Sequence, residues 1–493
     1  MKKVDITVIG GGINGVSIAA EAANRGLSTL LIHSHDLGSS GSAPPVTLAG
    51  THLQHLSALD YFQLNSMLDE LERLRRFAPH LIDLLPVVGP NGAPLKDKGF
   101  GLIEQYFQAM RDRTLSSLCK PAHSAKTQSI AARIKPSRLI LSKALQAQAY
   151  GAEILTKHTL IAAQRQSTCW QLTLQREAQS HLEIQTTLLV NCSGWWANEL
   201  LEDILRVKTR CKAKEEHRTQ FFFRNPGIEV ATVSVLKLQG LSKQAYYVYP
   251  VAEGIFAFGP RKCDQHGYAE CVELRQGFID TWNNAVVPHA PQAVLEPAHF
   301  IYQRKSKMAL IADPCSNDET PMTTPLHDLD NPGGAAVLLN IFGVDIALHR
   351  KVARQALDIL YPFTGKKINS AFKDEILPGG NFGPSSTDSD GRCIDHFIAT
   401  LNTDYPNIPT PLLKRLAENY GSLATHILGN KQSVESLGQH FGHQLYQQEV
   451  DYLTTMEWAN EADDILYRRT LLGLKFTPSQ KDTLQRYLQK NHL

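Results

Sequence analysis

Residues 3–9 alternate towards a buried parallel strand, with Asp5 interrupting the apolar run. Gly10–Gly15 predict a turn. Ile13–Arg25 repeat with helical spacing, and Ala19, Ala20, Ala22 and Ala23 suit close packing. Gly26 predicts a C-cap, and Ser28–Ile32 a second apolar strand. The three pieces make a βαβ unit, which implies a parallel sheet covered on both faces. Further along, an amphipathic helix is expected over 58–77, ending before Pro79, and another over 137–150. Strands are expected in 152–164 and 169–175, and a buried strand over Thr186–Gly194 that runs into a glycine turn. Ala245–Gly259 is the clearest hairpin, two aromatic and β-branched runs around Glu253-Gly254. Gly334–Leu360 returns to strand, tight turn and helix. The tail is helical in pattern at 411–428, 433–437, 442–468 and 478–490.

This order predicts an α/β protein. A Rossmann-like dinucleotide-binding fold is expected over 1–80, 137–200 and 334–362, interleaved with an antiparallel substrate sheet at roughly 205–330. Together they form a region over 1–380. Leu377–Gly391 is dense in Gly, Pro, Ser and Asp, which places a linker at 381–391 and a C-terminal helical domain at 392–493.

Composition narrows the classes. The chain has 493 residues, 43% hydrophobic and 20% charged, which suits a globular protein with sizeable cores. Fifty basic against 48 acidic residues leave a net +2, so no global field points to nucleic acid. Basic residues cluster at Lys208–Arg218 and Arg304–Lys307; solvated loop surface is the plain reading, and contact with anionic lipid or an anionic ligand the sharper one. Cys119, Cys169, Cys192, Cys211, Cys263, Cys271, Cys315 and Cys393 stand singly, which argues against zinc ribbons and disulfide frameworks and for a reducing compartment. The opening "MKKVDITVIGGG" reads as a first strand, not a signal peptide, and no apolar stretch of about 18 residues predicts a membrane span.

Candidate chemistry begins at Gly10-x-Gly12-x-x-Gly15, which follows a strand and opens a helix. That context makes it a phosphate-binding turn: glycine for the bend, bare backbone near a pyrophosphate, and a helix N-terminus facing the anion. The acid expected near the end of the second strand is replaced by His33, eighteen residues after Gly15. Neutral imidazole accepts one hydrogen bond and cannot grip a diol as a carboxylate does. Asp36 reads as a turn residue. His33, His35, His52 and His55 match no zinc spacing, so no metal site is expected.

With these segments in view, the chain resembles the bacterial FAD-dependent sn-glycerol-3-phosphate dehydrogenases. The resemblance is carried by "DITVIGGGINGVSIAAEAANRGLS" (Asp5–Ser28), "RRFAPHL" (Arg75–Leu81), "LVNCSGWW" (Leu189–Trp196) and "EILPGGNF" (Glu375–Phe382). In the tail it is carried by "AENYGS" (Ala417–Ser422), "LGQHFGHQLYQQEVDYL" (Leu437–Leu453) and "ADDILYRRT" (Ala462–Thr470). It implies FAD as cofactor, held through Gly10, Gly12, Asn14, Gly15, His33, Ser42, Gly194 and Gly343. It implies oxidation of sn-glycerol-3-phosphate to dihydroxyacetone phosphate, with electrons passed to quinone. It further implies a cytoplasmic protein, peripheral on the inner face of the membrane, as a homo-oligomer or beside an active relative.

The departures fall on the ligand side. Where the family has a serine-rich run, Lys, His-Gly-Gly and Arg-Tyr, this chain has Gly41–Leu56, which sets Thr47 on the lysine, Gly50 on the histidine, Thr51 and His52 on the glycines, and Gln54 and His55 on Arg-Tyr. Pro44-Pro45 removes two backbone donors from that loop. The family's Gly-Val-Arg-Pro-Leu maps to Tyr302–Leu310, and its Thr-Arg-Asp to Thr323-Thr324-Pro325. Its Gly-Thr-Thr-Asp maps to Gly259-Pro260-Arg261-Lys262. Its flavin-facing Phe-Gly-Gly-Lys-Leu-Thr-Thr becomes Phe342-Gly343-Val344-Asp345-Ile346-Ala347-Leu348. A carboxylate at about 4 Å would repel a reduced flavin anion by about 1–4 kcal/mol. A phosphate dianion wants paired cations; Arg304, Lys305 and Lys307 are the basic candidates, with Arg261 and Lys262 beside them, and His52 and His55 the candidate bases. The expectation is a family member whose dehydrogenase activity is impaired or lost. Alternatives are a non-catalytic relative serving as a binding partner, and a flavoprotein with another substrate.

Overall fold

The computed structural model describes residues 1–39, 47–49, 61–89, 130–176, 180–209, 211–237, 245–263, 268–311, 326–343, 346–366, 376–382 and 392–491. β1 (Lys2–Ile9) leads through the glycine turn into α1 (Ile13–Asn24), and β2 (Thr29–Ile32) returns parallel to β1 with Val8 beside Leu31. Gly26, at φ +88°, ends α1 as a Schellman cap: its N–H donates to Ala23 O and that of Leu27 to Ala22 O. β3 (Thr47–Ala49), α2 (Tyr61–Phe77), β4 (Ile82–Val88), β5 (Ile130–Ile134) and α3 (Pro136–Ala149) follow. Pro136 opens α3 at the position where its missing N–H costs nothing. β6 (Glu153–Leu155), β7 (Thr159–Arg165), β8 (Trp170–Arg176) and β9 (Ser180–Asn191) come next.

The first sheet runs β15-β16-β9-β1-β2-β6, where β15 is Leu326–Asp330 and β16 Val337–Phe342. β16, β9, β1, β2 and β6 are parallel; β15 pairs antiparallel to β16, and the β7–β8 hairpin adds antiparallel to β9. β2 and β16 are buried along their whole length, as strands covered on both faces must be. α1 lies between this sheet and other helices, so ten of its twelve residues are buried and alanines stand where bulk would not fit.

The second sheet has the order β14-β10-β13-β12-β11-β4-β5-β3. Here β10 is Ala213–Arg224, β11 Val233–Lys237, β12 Ala245–Ala252, β13 Ile255–Lys262 and β14 Phe300–Ile311. All pairs are antiparallel except β4 with β11. The sheet thus reaches beyond 205–330 and recruits β3, β4 and β5 from the first third of the chain. The expected hairpin is β12–β13, with Gly254 at φ +70° in its turn. Three consecutive phenylalanines in β10 serve two cores. Phe221 and Phe223 pack with Phe278 and Trp282 of α4 (Tyr268–Val286), while Phe222 points into the main core with Tyr249. The basic segments 208–218 and 304–307 are not loop surface: most of their residues stand on the neighbouring strands β10 and β14, where His217 lies opposite Lys307.

After α5 (His349–Leu360) and residues 376–382, the tail forms α6 (Arg392–Asp404), α7 (Thr410–Tyr420), α8 (Ala424–Leu428), α9 (Gln447–Met456) and α10 (Pro478–Asn491) around one core. Three expected helices differ. Residues 433–437 form only a 3₁₀ turn at Glu435–Leu437. The 411–428 run breaks at Gly421, at φ +57°, where an added Cβ would lie 1.9 Å from the Gly379 carbonyl oxygen. The 442–468 run begins as a small hairpin, β17 (His440–Gly442) and β18 (Leu445–Tyr446), turned by His443 and Gln444 at positive φ. α9 then stops at Met456, and a wide π-turn spans Asp464–Arg469. The linker residues 383–391 lie outside the described residues. Among the described residues no helix is long and apolar enough to cross a membrane.

Buried ion pairs fix this tail to the rest. Arg138 of α3 forks onto Glu457, its Nη atoms 2.6 and 2.9 Å from the two carboxylate oxygens, and its guanidinium stacks 4.4 Å from the Tyr420 ring centre. Lys135 Nζ donates to Glu418 O at 2.7 Å and Arg138 Nε to Asn419 O at 3.0 Å.

Candidate cofactor and substrate site

The site grows from the carboxyl ends of β1, β2, β9 and β16, where a parallel sheet leaves a crevice. Gly10 takes φ +117°, and a Cβ there would lie 2.3 Å from Cys192 O. A Cβ on Gly15 would lie 1.8 Å from Gly10 O. Both glycines are therefore demanded by packing. Gly12 caps α1 with extended backbone and no side-chain hydrogen bond, so no side chain competes for the first-turn N–H groups. Asn14 Nδ2 donates to Gly343 O at 3.2 Å, which ties the turn of α1 to the turn after β16, while its Oδ1 is buried without a partner among the described residues. An open helix N-terminus, a glycine cradle and an unmet polar atom fit the diphosphate of a dinucleotide.

The ribose end is different. His33 is buried, its ring packs over Gly11 beside Leu37, and its Nε2 lies 3.3 Å from Ser39 Oγ. Burial, with His35 nearby, pushes its pKa down to about 4, so it is neutral at pH 7. As the sequence suggested, Asp36 opens a turn, its carbonyl accepting from Ser39 N–H at 3.1 Å, but its side chain has a further role. It is 2% exposed and receives both Nη atoms of Arg469 and Nε of Arg468. Burial raises its carboxyl, but the two guanidinium groups outweigh that and hold it below the usual range. Consecutive helical residues ordinarily face apart; the π-turn, closed by Thr470 N to Ile465 O, brings both arginines to one carboxylate. The motif "ADDILYRRT" contained this signal only as resemblance.

At the end of β9, Asn191 bridges to Asn340 of β16 through a buried 3.0 Å bond and accepts from the N–H and hydroxyl of Ser193. Gly194 follows at φ +67° on the exposed rim. Beside it His35 stacks on Trp196 with centroids 5.5 Å apart, Trp196 on Trp195 at 3.9 Å, and Lys307 Nζ lies 4.2 Å over Trp195. At the β16 turn Gly343 takes φ +68°, and Ala347 and Leu348 are buried at 3% and 4% exposure. Asp345, Ser42, His52 and His55 lie outside the described residues.

On the second sheet the three basic candidates part company. Lys307 is held by Glu215 and the Trp195 ring, so it is not a free phosphate ligand. Lys305 is exposed. Lys262 nears Glu216 at 3.8 Å. Arg304 stands on the other face of β14 from Lys305 and Lys307, the face that carries Tyr302, which stacks on Tyr467. Burial, with Arg468 nearby, lowers the Arg304 guanidinium to about 10, so it stays charged at pH 7. Tyr249, within its field, accepts from Gln220, and burial pushes its phenol up.

Comparison with known proteins agrees with this architecture. A model for FAD dependent oxidoreductase matches residues 5–328, and one for the C-terminal domain of alpha-glycerophosphate oxidase matches residues 373–489. Glycerol-3-phosphate dehydrogenase of Pseudomonas aeruginosa is 28% identical over 99% of this chain and 95% of its own length. Aerobic glycerol-3-phosphate dehydrogenase of Escherichia coli is 26% identical over 99% and 98%, and D-erythritol 1-phosphate dehydrogenase of Brucella abortus 26% identical over 97% and 96%. The structure of glycerol-3-phosphate dehydrogenase from Bacillus halodurans complexed with FAD shares the fold, with TM-score 0.71 at 18% identity over 99% of this chain and 94% of that one. The chain belongs to the FAD-dependent oxidoreductase family, in its glycerol-3-phosphate dehydrogenase group.

Proposed function

We propose that this chain binds FAD at the α1 turn and has little of the glycerol-3-phosphate dehydrogenase activity that its relatives are named for. The observation that supports this is the fate of the basic candidates: among the three on β14, only Arg304 is partly buried with no acidic partner among the described residues, where a phosphate dianion wants a clamp. A bound flavin would supply the hydride acceptor for an alcohol carbon. The chain's own share is to hold the diphosphate on the N–H groups of Ile13–Gly15, to fix that turn through Asn14, and to offer Arg304 to an anionic substrate. Ala347 and Leu348 give the flavin-side turn no hydroxyl donors. The acceptor that goes with the reading is a quinone, met at a membrane surface.

The test is the visible spectrum of the purified protein, followed by glycerol-3-phosphate and a dye acceptor. Flavin bands with no bleaching and no dye reduction are expected. Rapid bleaching overturns the loss of activity. A colourless protein that takes up no added FAD overturns the flavin half and favours a non-catalytic relative that serves as a binding partner. Arg304 favours a second reading, that another phosphorylated polyol is the substrate. D-erythritol 1-phosphate in the same assay decides it, since dye reduction by that compound alone would establish the second reading over the first.

A further inference from the structure

Asn340 is the one polar residue of β16, and it is fully buried. An amide in that place is costly unless its groups are met. They are met along one row of the sheet. Asn340 stands beside Asn191 of β9 and opposite Asp328 of β15, so the three side chains share a face. Asn340 Nδ2 donates to Asp328 Oδ2 at 3.2 Å, and Asn191 Nδ2 donates to Asn340 Oδ1 at 3.0 Å. Thr209 Oγ1 donates to the same Asp328 oxygen at 2.9 Å and accepts from Cys211 N–H at 3.0 Å. At the other end, Asn191 Oδ1 accepts from Ser193 N–H at 3.0 Å and from the Ser193 hydroxyl at 2.6 Å.

The two ends of this row set the sense of every bond in it. A backbone N–H can only donate, so Asn191 must turn its oxygen to Ser193 and its Nδ2 to Asn340. A carboxylate oxygen can only accept, so Asn340 must turn its Nδ2 to Asp328. Flipping either amide sets donor against donor and acceptor against acceptor. The turn held in this way lies against the glycine cradle: a Cβ on Gly10 would lie 2.3 Å from Cys192 O and 3.1 Å from Ser193 N. Trp196 N–H reaches back to Ser193 O at 3.4 Å, so the Trp195–Trp196 stack, with centroids 3.9 Å apart, hangs from the same turn.

We propose that Asp328 is a positioning residue for the dinucleotide crevice. By setting the polarity of the Asn340–Asn191 pair, it fixes the Ser193–Gly194 turn against the glycines that open α1, and with it the Trp195–Trp196 stack. It acts through the two amides, as an acceptor and not as a charge. The consequence for cofactor affinity rests on the flavin reading above; the consequence for the turn does not.

The experiment uses the full chain and two readouts. Circular dichroism reads the exciton couplet of the stacked tryptophans without any cofactor, and Trp195→Phe assigns the couplet by removing it. Titration with FAD, followed by flavin fluorescence, reads the crevice. Asp328→Ala should weaken the couplet and raise the FAD dissociation constant about tenfold, the worth of one buried hydrogen bond. Asp328→Asn can still turn one oxygen to both Asn340 and Thr209, so it should keep the couplet and hold FAD affinity within about twofold. In an Asn340→Ala background, Asp328→Ala should add nothing further. If Asp328→Ala does not fold, Asp328→Ser, whose hydroxyl is too short to reach, is the second variant, with the same losses expected. A couplet unchanged in the folded variant, an Asp328→Asn that loses as much as Asp328→Ala, or losses that add to those of Asn340→Ala each overturns the proposal. A wild-type chain that takes up no FAD overturns the flavin reading instead, and the couplet still decides this one.

Discussion

Two polar regions meet at the carboxyl end of β2, and they are built to opposite plans. At the dock of the C-terminal helices, Asp36, Arg469, Glu457 and Arg138 are buried and, with partly buried Arg468, joined to one another. At the glycine turn and on the face of β14, Asn14 Oδ1 has no partner among the described residues, no side chain caps α1, and Arg304 meets no carboxylate among the described residues. Charges that meet each other hold the architecture; groups left open are the ones a ligand can satisfy. The contrast separates what the family scaffold needs from what its chemistry needs, and it can be tested region by region.

The largest effect is expected at the dock. Arg469→Met leaves Asp36 buried with one arginine, and a loss of about 3–5 kcal/mol in urea unfolding is expected. Asp36→Asn with Arg469→Met should lose much less than the sum of the singles, because the buried charge goes with its partner. Additive losses would mean that the pair does not act as a unit.

Next comes Gly10→Ala, expected to cost at least about 1–3 kcal/mol with or without FAD, since the new Cβ would meet Cys192 O. A variant that folds with full stability and loses only flavin affinity would move Gly10 from the scaffold to the ligand side.

Acid should act on the dock before the open site. The Asp36 carboxyl is lowered below 3.8 in the fold, so its contribution to stability is complete above pH 3.8 and is lost as pH falls below that value. Unfolding monitored across that window should show a smaller pH slope in Asp36→Asn.

The smallest stability effects belong to β14. Lys307→Gln is expected to cost about 0–1 kcal/mol, because its pair with Glu215 is partly exposed and screened. Arg304→Gln should leave stability nearly unchanged while abolishing any thermal shift given by glycerol-3-phosphate. A shift that survives Arg304→Gln but not Lys307→Gln would reverse the roles assigned to the two residues.

The same contrast explains what could be read from the chain. The βαβ opening, the β12–β13 hairpin and the β16–α5 turn were legible because local periodicity and glycine placement specify them. The hairpin at 440–446 was not, because the positive-φ turn falls on His443 and Gln444, inside a stretch that otherwise has helical spacing. The break at Gly421 comes from the Gly379 carbonyl, a neighbour that periodicity cannot see. Of the site, the glycine cradle was legible and His33 was visible as an anomaly. The role of Asp36 was not, because a lone acid after a strand looks the same whether it faces water or a guanidinium 433 positions away. Arg304 and Lys307 are two of three candidates in one short run, and only strand alternation and the presence of Glu215 on β10 separate them.

That 433-residue reach has a consequence for how the protein is made. Asp36 leaves the ribosome 433 residues ahead of Arg469. Domains generally begin to fold from the N-terminus while synthesis continues. Throughout that interval the end of β2 carries a carboxylate that cannot be buried without cost, so the crevice it borders stays solvated. A chain that stops before residue 468 lacks both arginines and has no means of closing this corner. Synthesis through Arg469 is thereby recorded in the electrostatics of Asp36, and a nascent chain that ends before residue 468 should present an open β2 corner to proteases.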